Sequence, residues 1–297
     1  MNHRLISRRR LLAETGLGVL GLSLTTSCAS FSGRGTAKGK PAGFKLGVCD
    51  WTVGQTSRPE SFDVAQRIGI DGVQVDFGSG DEELPLFDPD LQQGILRRAE
   101  QNQLEMASLA MGVLNNVPYK SDPRAERWVD RAIDVCKAMQ TDIILLAFFG
   151  NGDLLNDPKG LDVTVGRLKN IAAKAEKAGV TLGVESWLSA AQQLDIIDRV
   201  GSPAVEIYYD VANSHKMGYD IYQEIRTLGR HICQFHAKDY DGLYGQGSID
   251  FPRVREAMDA IGYRGWFVME GTAMPLGIEE SCRYDAQYLR RVFPSRV

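Results

Sequence analysis

Four short stretches of this sequence each end an apolar run on an ionisable side chain. They read TLGVES, EIYYDVANSH, CQFHAKD and WFVMEG, and they offer Glu185, Asp210, His236 and Glu270. Burying one unpaired carboxylate costs several kcal/mol, the scale of a whole domain's stability margin. Taken singly, each residue has a plain structural reading. Glu185 could be a rim ion pair, Asp210 a helix N-cap and His236 a satisfied core histidine. Three carboxylates and an imidazole recurring at one structural position call instead for a shared neutraliser. A divalent metal ion supplies it.

These side chains converge only if the runs that carry them are neighbouring strands. Apolar runs occur at Lys45–Cys49, Gly72–Phe77, Leu104–Leu109, Ile143–Phe148, Thr181–Glu185, Val205–Tyr209, Ile232–His236 and Trp266–Met269. Amphipathic stretches separate them at Pro59–Ile68, Asp90–Asn102, Pro123–Met139, Val163–Ala178, Ala190–Val200, Ile221–Leu228, Phe251–Ile261 and Ile278–Val292. Strand and helix in strict alternation imply parallel strands with helical crossovers. Parallel strands are buried on both faces, so they read as near-continuous apolar runs, as DIILLAFF does. The pattern predicts an α/β fold, a single-domain (β/α)8 TIM barrel over 44–297, whose working residues stand at the C-terminal strand ends. An open doubly wound sheet fits less well, because no nucleotide loop follows the first strand. The long polar loop from Phe77 to Asp90 is expected over the barrel mouth. Gly245-Gln246-Gly247 falls in the loop where barrels often bind phosphate, although two glycines in a turn carry little information.

The 297 residues are 43% hydrophobic and 24% charged, which excludes disordered, collagenous and coiled-coil classes. The net charge of −4 conceals an asymmetry, since residues 1–28 carry Arg4, Arg8, Arg9 and Arg10 against Glu14 alone. The remainder is acidic, which argues against nucleic acid as a partner and allows neutral substrates and metal cations. The five cysteines form no C-x-x-C pair, and no disulfide framework is expected.

Residues 1–29 have the layout of an export signal, with basic residues, an apolar stretch and then small residues. Arg8-Arg9 followed by Arg10, Leu11 and Leu12 resembles a twin-arginine signal, with an ordinary secretory signal as the alternative. Ser27-Cys28-Ala29 could be a cleavage site. Alternatively, Thr25-Thr26-Ser27-Cys28 could be a lipoprotein box that anchors the chain through Cys28. Residues 30–43 read as a flexible linker. The expected location is the periplasm, with the export machinery as a partner and membrane contact only through the signal or a lipid anchor. Gly16 to Gly21 spells G-x-G-x-x-G, but a basic leader precedes it rather than a strand, so no nucleotide cofactor is expected.

VESW, YYDVANSH, FHAKD and VMEG together resemble the sugar phosphate isomerase/epimerase superfamily, the xylose isomerase-like TIM barrels. LGVCDWTVG and GIDGVQVDFG resemble that family's first two strands. The resemblance covers about residues 44–295. It implies Glu185, Asp210, His236 and Glu270 as ligands of one divalent ion, Mn²⁺ first, with Co²⁺, Mg²⁺ or Zn²⁺ as alternatives. In the ketose 3-epimerase branch the two glutamates also form the acid/base pair, here Glu185 and Glu270. That branch has a histidine where this chain has Asn213, and an arginine where it has Gly242. Lys238 and His215 could take over part of the substrate grip.

The implied chemistry is isomerisation or epimerisation of a sugar by proton transfer through an enediolate, with β-elimination of a 3-keto-glycoside as a variant on the same site. Sugar phosphates are expected to be scarce outside the cytoplasm, so the expected substrate is a non-phosphorylated sugar or keto-sugar. Trp51 and Trp187 could wall a sugar ring or simply pack the rim. Asp50 could bind a hydroxyl or cap a loop. Lys238 could grip a hydroxyl or pair with Asp239. Two other classes compete. A metal nuclease of a related barrel would need more histidines than His215, His231 and His236. A carbohydrate-binding barrel without turnover would not need both glutamates. A homo-oligomer is a candidate assembly.

Overall fold

The computed structural model describes residues 43–295. The export signal, Cys28 and nearly all of the linker lie outside the described residues. Eight parallel strands close into a barrel in chain order. They are β1 (Lys45–Cys49), β2 (Gly72–Asp76), β3 (Glu105–Met111), β4 (Ile143–Phe148), β5 (Thr181–Ser186), β6 (Val205–Asp210), β7 (Ile232–Asp239) and β8 (Trp266–Thr272). β1 pairs in parallel with β8, Leu46 opposite Phe267, and this pairing closes the ring. The helices are α1 (Ser61–Ile68), α2 (Pro89–Asn102), α3 (Pro123–Ala138), α4 (Pro158–Ala178), α5 (Ala190–Val200), α6 (Val211–Lys216), α7 (Ile221–Leu228), α8 (Phe251–Ala260) and α9 (Ile278–Val292). Among the described residues no helix is long and apolar enough to cross a membrane.

Local chemistry sets the helix starts. α2, α3 and α4 each begin at an Asp-Pro pair, whose aspartate accepts a first-turn N–H: Asp88 from Asp90, Asp122 from Arg124 and Asp157 from Gly160. The proline lacks the N–H that would be unsatisfied there, and such a cap contributes about 1 kcal/mol. α4 starts earlier than the periodicity suggests, because Asp157-Pro158 begins the helix ahead of the apolar stripe. Ser189 and Gln192 form a reciprocal capping box at α5. Gly179 and Gly201 end α4 and α5 in the left-handed region, at φ 66° and 70°. α6 has no apolar stripe long enough to announce it; Asp210 starts it by accepting N–H groups from Ala212 and Asn213.

Alternation along the strands divides the core. Leu46, Val48, Val73 and Val75 face the helices in the main apolar cluster. Their neighbours Cys49 and Gln74 face the barrel axis, where small apolar clusters surround a polar network. Gln74 Nε2 donates to Ser108 Oγ at 2.8 Å and to Tyr208 Oη at 3.1 Å, and Gln234 Nε2 donates to Ser108 Oγ at 3.0 Å. Gly183 makes room for Tyr208: a Cβ there would stand 3.1 Å from the tyrosine Cβ. The loop from Phe77 to Asp90 is tied to α3, with Arg124 donating to Asp81 O and Trp128 Nε1 to Glu82 O.

Candidate metal centre and substrate cavity

β5 to β8 run one to three residues further than their apolar runs, so the ionisable residues belong to the strands themselves. Parallel neighbours in register carry them to one rim, with Asp210 directly opposite His236. One ligand atom from each of Glu185, Asp210, His236 and Glu270 lies within 4.8 Å of all the others. His236 is fully buried, and its Nδ1 stands 3.1 Å from Glu185 Oε1, 3.6 Å from Glu270 Oε2 and 3.9 Å from Asp210 Oδ2.

The donor set fits a divalent ion. Asp210 Oδ1 is occupied by the α6 amides, whereas the buried Oδ2 has no hydrogen-bond partner. Such an oxygen needs a proton or a cation; among the described residues Asp50 Oδ1 and Asp285 Oδ2 lack donors too, but Asp210 is the one that lies among other candidate metal-ligating atoms. On the other side of the imidazole, His236 Nε2 lies 2.7 Å from Gln74 Oε1. An amide oxygen only accepts, so Nε2 carries the proton and Nδ1 presents its lone pair to the cluster, as a metal-binding histidine must. Gln74 is held in turn by Ser108 and Tyr208, and Cys49 Sγ donates to its Oε1 at 3.2 Å. The polar barrel interior therefore sets the tautomer of His236.

Charge is unevenly shared without the ion. Burial pushes Asp210 well above the usual carboxylate range, with Lys238 partly opposing it. Burial also acts on Glu270, but His236 and Lys238 outweigh it and bring that carboxyl down to about 2. For His236, burial favours the neutral ring, yet Glu185, Glu270 and Asp210 raise it above its ordinary value. Lys238 Nζ lies 2.6 Å from Glu270 Oε2 and 3.8 Å from Asp210 Oδ2. Its partners are therefore the cluster carboxylates and not Asp239. Asp239 instead accepts N–H groups from Asp241, Ser248 and Ile249, closing the glycine-containing loop around itself.

Beside the cluster lies a cavity of about 250 Å³. Glu185 and Glu270 line it together with Trp51, Leu145, Ala147 and Phe149. Trp51 is thus at the wall, and its Nε1 donates to Glu270 Oε1 at 3.3 Å. Trp187 stacks edge-on behind Phe149, with ring centres 4.9 Å apart. Asn213 Nδ2 donates to Glu185 Oε1 at 3.3 Å, and its Oδ1 accepts from Tyr240 Oη. It therefore braces one glutamate. His215 is exposed in a separate rim depression with Lys216 and Tyr240. Asp50 caps the loop after β1, its Oδ2 accepting from Ser57 N at 2.8 Å and Asp76 N at 3.1 Å.

Sequence reasoning passed over Gln74, Tyr240 and Asp76. Asp76 ends an apolar run just as the four cluster residues do, so the same rule would have found it. Gln74 sits inside such a run, where only the closed barrel shows which way it faces.

The model of the xylose isomerase-like TIM barrel matches residues 62–292. A 2-epi-5-epi-valiolone 7-phosphate 2-epimerase from an Actinoplanes species is 26% identical over 200 residues, 66% of this chain and 72% of that one. An L-ribulose-5-phosphate 3-epimerase from Salmonella heidelberg is 24% identical over 226 residues, 70% of this chain and 79% of that one. Among solved structures, D-psicose 3-epimerase from Clostridium cellulolyticum, bound to D-tagatose, superposes with a TM-score of 0.72 at 18% identity, covering 84% of this chain and 99% of that one. A 3-keto-D-glucoside 4-epimerase from E. coli gives 0.69 at 15% identity, over 84% and 99% of the two chains. At these identities the structural likeness speaks for the fold alone. The chain belongs to the xylose isomerase-like TIM barrel family.

Proposed function

We propose that this chain is a divalent-metal-dependent isomerase or epimerase of a non-phosphorylated sugar or keto-sugar. The observation that carries the proposal is the cluster of four ligand atoms around a buried Asp210 oxygen that no donor reaches. Both relatives are named as epimerases, which supports the reaction class, although both names carry a phosphorylated substrate. A bound divalent ion would supply Lewis-acid stabilisation of charge developing on the substrate's carbonyl and neighbouring hydroxyl oxygens. Glu185, Asp210, His236 and Glu270 would hold it, and the carboxylate and imidazole donors suit Mn²⁺.

The proton chemistry falls to the glutamates. Glu270 is held ionised and takes the proton from the carbon beside the carbonyl. Glu185, braced by Asn213 and carrying a proton at the start of the turnover, delivers it to the other face or to the adjacent carbon; solvent then takes the proton from Glu270 and restores the one on Glu185. The first outcome is epimerisation and the second is aldose–ketose isomerisation. Trp51, Leu145 and Phe149 offer the sugar ring an apolar wall. Lys238 favours a second reading: an ammonium beside the base can protonate a departing β-oxygen, and a 3-keto-glycoside would then undergo elimination.

The test is metal analysis followed by NMR of sugars and 3-keto-glycosides in D₂O. About one ion per chain is expected. Deuterium should enter a ketose beside its carbonyl, and Glu270→Gln should slow that entry at least roughly 100-fold. Undiminished exchange in Glu270→Gln would place the base elsewhere. Sugar binding without any exchange would leave a carbohydrate-binding barrel. The proposal includes twin-arginine export to the periplasm with the ion already loaded. Replacing Arg8 and Arg9 by lysine should then retain the protein in the cytoplasm.

A further inference from the structure

The cavity has a second polar end, on the opposite side of the barrel from the cluster. In a closed ring of eight strands, β2 stands across from β6, and β3 across from β7. Asp76, the last residue of β2, lines the same cavity as Glu185 and Glu270. Its Oδ1 accepts Gly78 N at 2.7 Å, and its Oδ2 accepts Gly112 N at 2.9 Å. A carboxylate has roughly four lone-pair positions, so two amide donors leave about half of its accepting capacity open. The main chain beneath it is held as well, because Asp50 Oδ2 accepts the Asp76 backbone N–H. Gly112 keeps the approach clear: a Cβ there would stand 2.8 Å from Asp76 Oδ2. Three carboxylates line this cavity, and neither lysine nor arginine is among its lining residues.

We propose that Asp76 is a specificity-determining residue, accepting hydroxyl donors from the sugar at the end away from the cluster and excluding a phosphate there. The inference rests on the reading of the cavity as a sugar site. A fixed anion with spare lone pairs rewards O–H groups. The same anion, at the end away from the cluster and Lys238 and with no lysine or arginine lining the cavity, repels a phosphate dianion placed there.

Sorbitol and sorbitol 6-phosphate carry no carbonyl and cannot turn over, so their binding to the metal-loaded protein can be measured by calorimetry. The wild type should bind sorbitol more tightly than its phosphate. Asp76→Asn should weaken sorbitol binding about 10-fold to 100-fold and narrow the gap between the two ligands. Asp76→Glu keeps the charge but displaces the oxygens, so it should lose sorbitol affinity and still reject the phosphate. Metal content and melting temperature report whether each variant is folded. A wild type that prefers the phosphate, or an Asp76→Asn variant with unchanged selectivity, overturns the role of Asp76 while leaving the sugar site standing. Failure to bind either polyol with the ion in place overturns the sugar-site reading itself and this inference with it.

Discussion

The two halves of the barrel rim gather their buried carboxylates differently. In the early half, both oxygens of Asp76 accept main-chain amides, from Gly78 and Gly112, while Asp50 accepts the Ser57 and Asp76 amides on Oδ2 and keeps a buried Oδ1 without a donor. In the late half, Asp210 is held in the same way, with amides on Oδ1 and none on Oδ2, but Glu185, His236 and Glu270 bring ligand atoms within 4.8 Å of it. Backbone donors are fixed when the loop folds and hold a carboxylate in one pose. An oxygen left without a donor among other ligand atoms can share a cation with them. Neither burial nor an oxygen without a donor marks a candidate ligand by itself; convergence with other ligand atoms separates Asp210 from Asp50.

Metal addition should break the symmetry most strongly. An ion at a hundred times its dissociation constant should stabilise the fold by about 2.7 kcal/mol, read as a rise in melting temperature. Asp210→Asn should remove that increment. Asp50→Ala should leave the increment intact and instead cost about 1–3 kcal/mol in the metal-free protein, because it strands the Ser57 and Asp76 amides. An equal loss of the metal increment in both variants would show that the halves do not differ.

Gln74 links the halves, since it sits on β2 yet orients His236 on β7. Gln74→Leu should lower metal affinity about 10-fold to 100-fold, measured by competition with a chelator. Unchanged affinity would mean that His236 is oriented by packing alone. The smallest effect concerns a buried carboxyl outside both halves. Burial raises Asp285 to about 7. The folded state then keeps a proton that the unfolded chain has released, so stability should fall as pH rises from about 4 to about 7. Asp285→Asn should flatten that slope, read in denaturant titrations at the two pH values.

Much of this organisation is legible in one dimension. Apolar runs such as DIILLAFF announce parallel strands because both of their faces are buried, and the Asp-Pro pairs mark helix starts because the cap and the fixed φ act locally. The candidate ligands follow from the rule that strand ends meet at one rim. α6 escaped because a six-residue helix has too few turns to show a periodicity, and its cap is a residue that also serves the cluster. Lys238 has Asp239 as its sequence neighbour, but successive strand residues point to opposite faces, so its partners come from β6 and β8.

The order of residues alone determined the strand–helix alternation, the carriers of charge at strand ends and the acidic body behind a basic leader, because each depends on local periodicity or composition. Only ring closure decided that Gln74 orients His236, that Asn213 braces Glu185, that Asp76 lines the same cavity as Glu185 and Glu270 and that one oxygen of Asp210 is left without a donor. Those facts rest on contacts between strands far apart in the chain, and no spacing along the chain encodes which lone pair will find a donor.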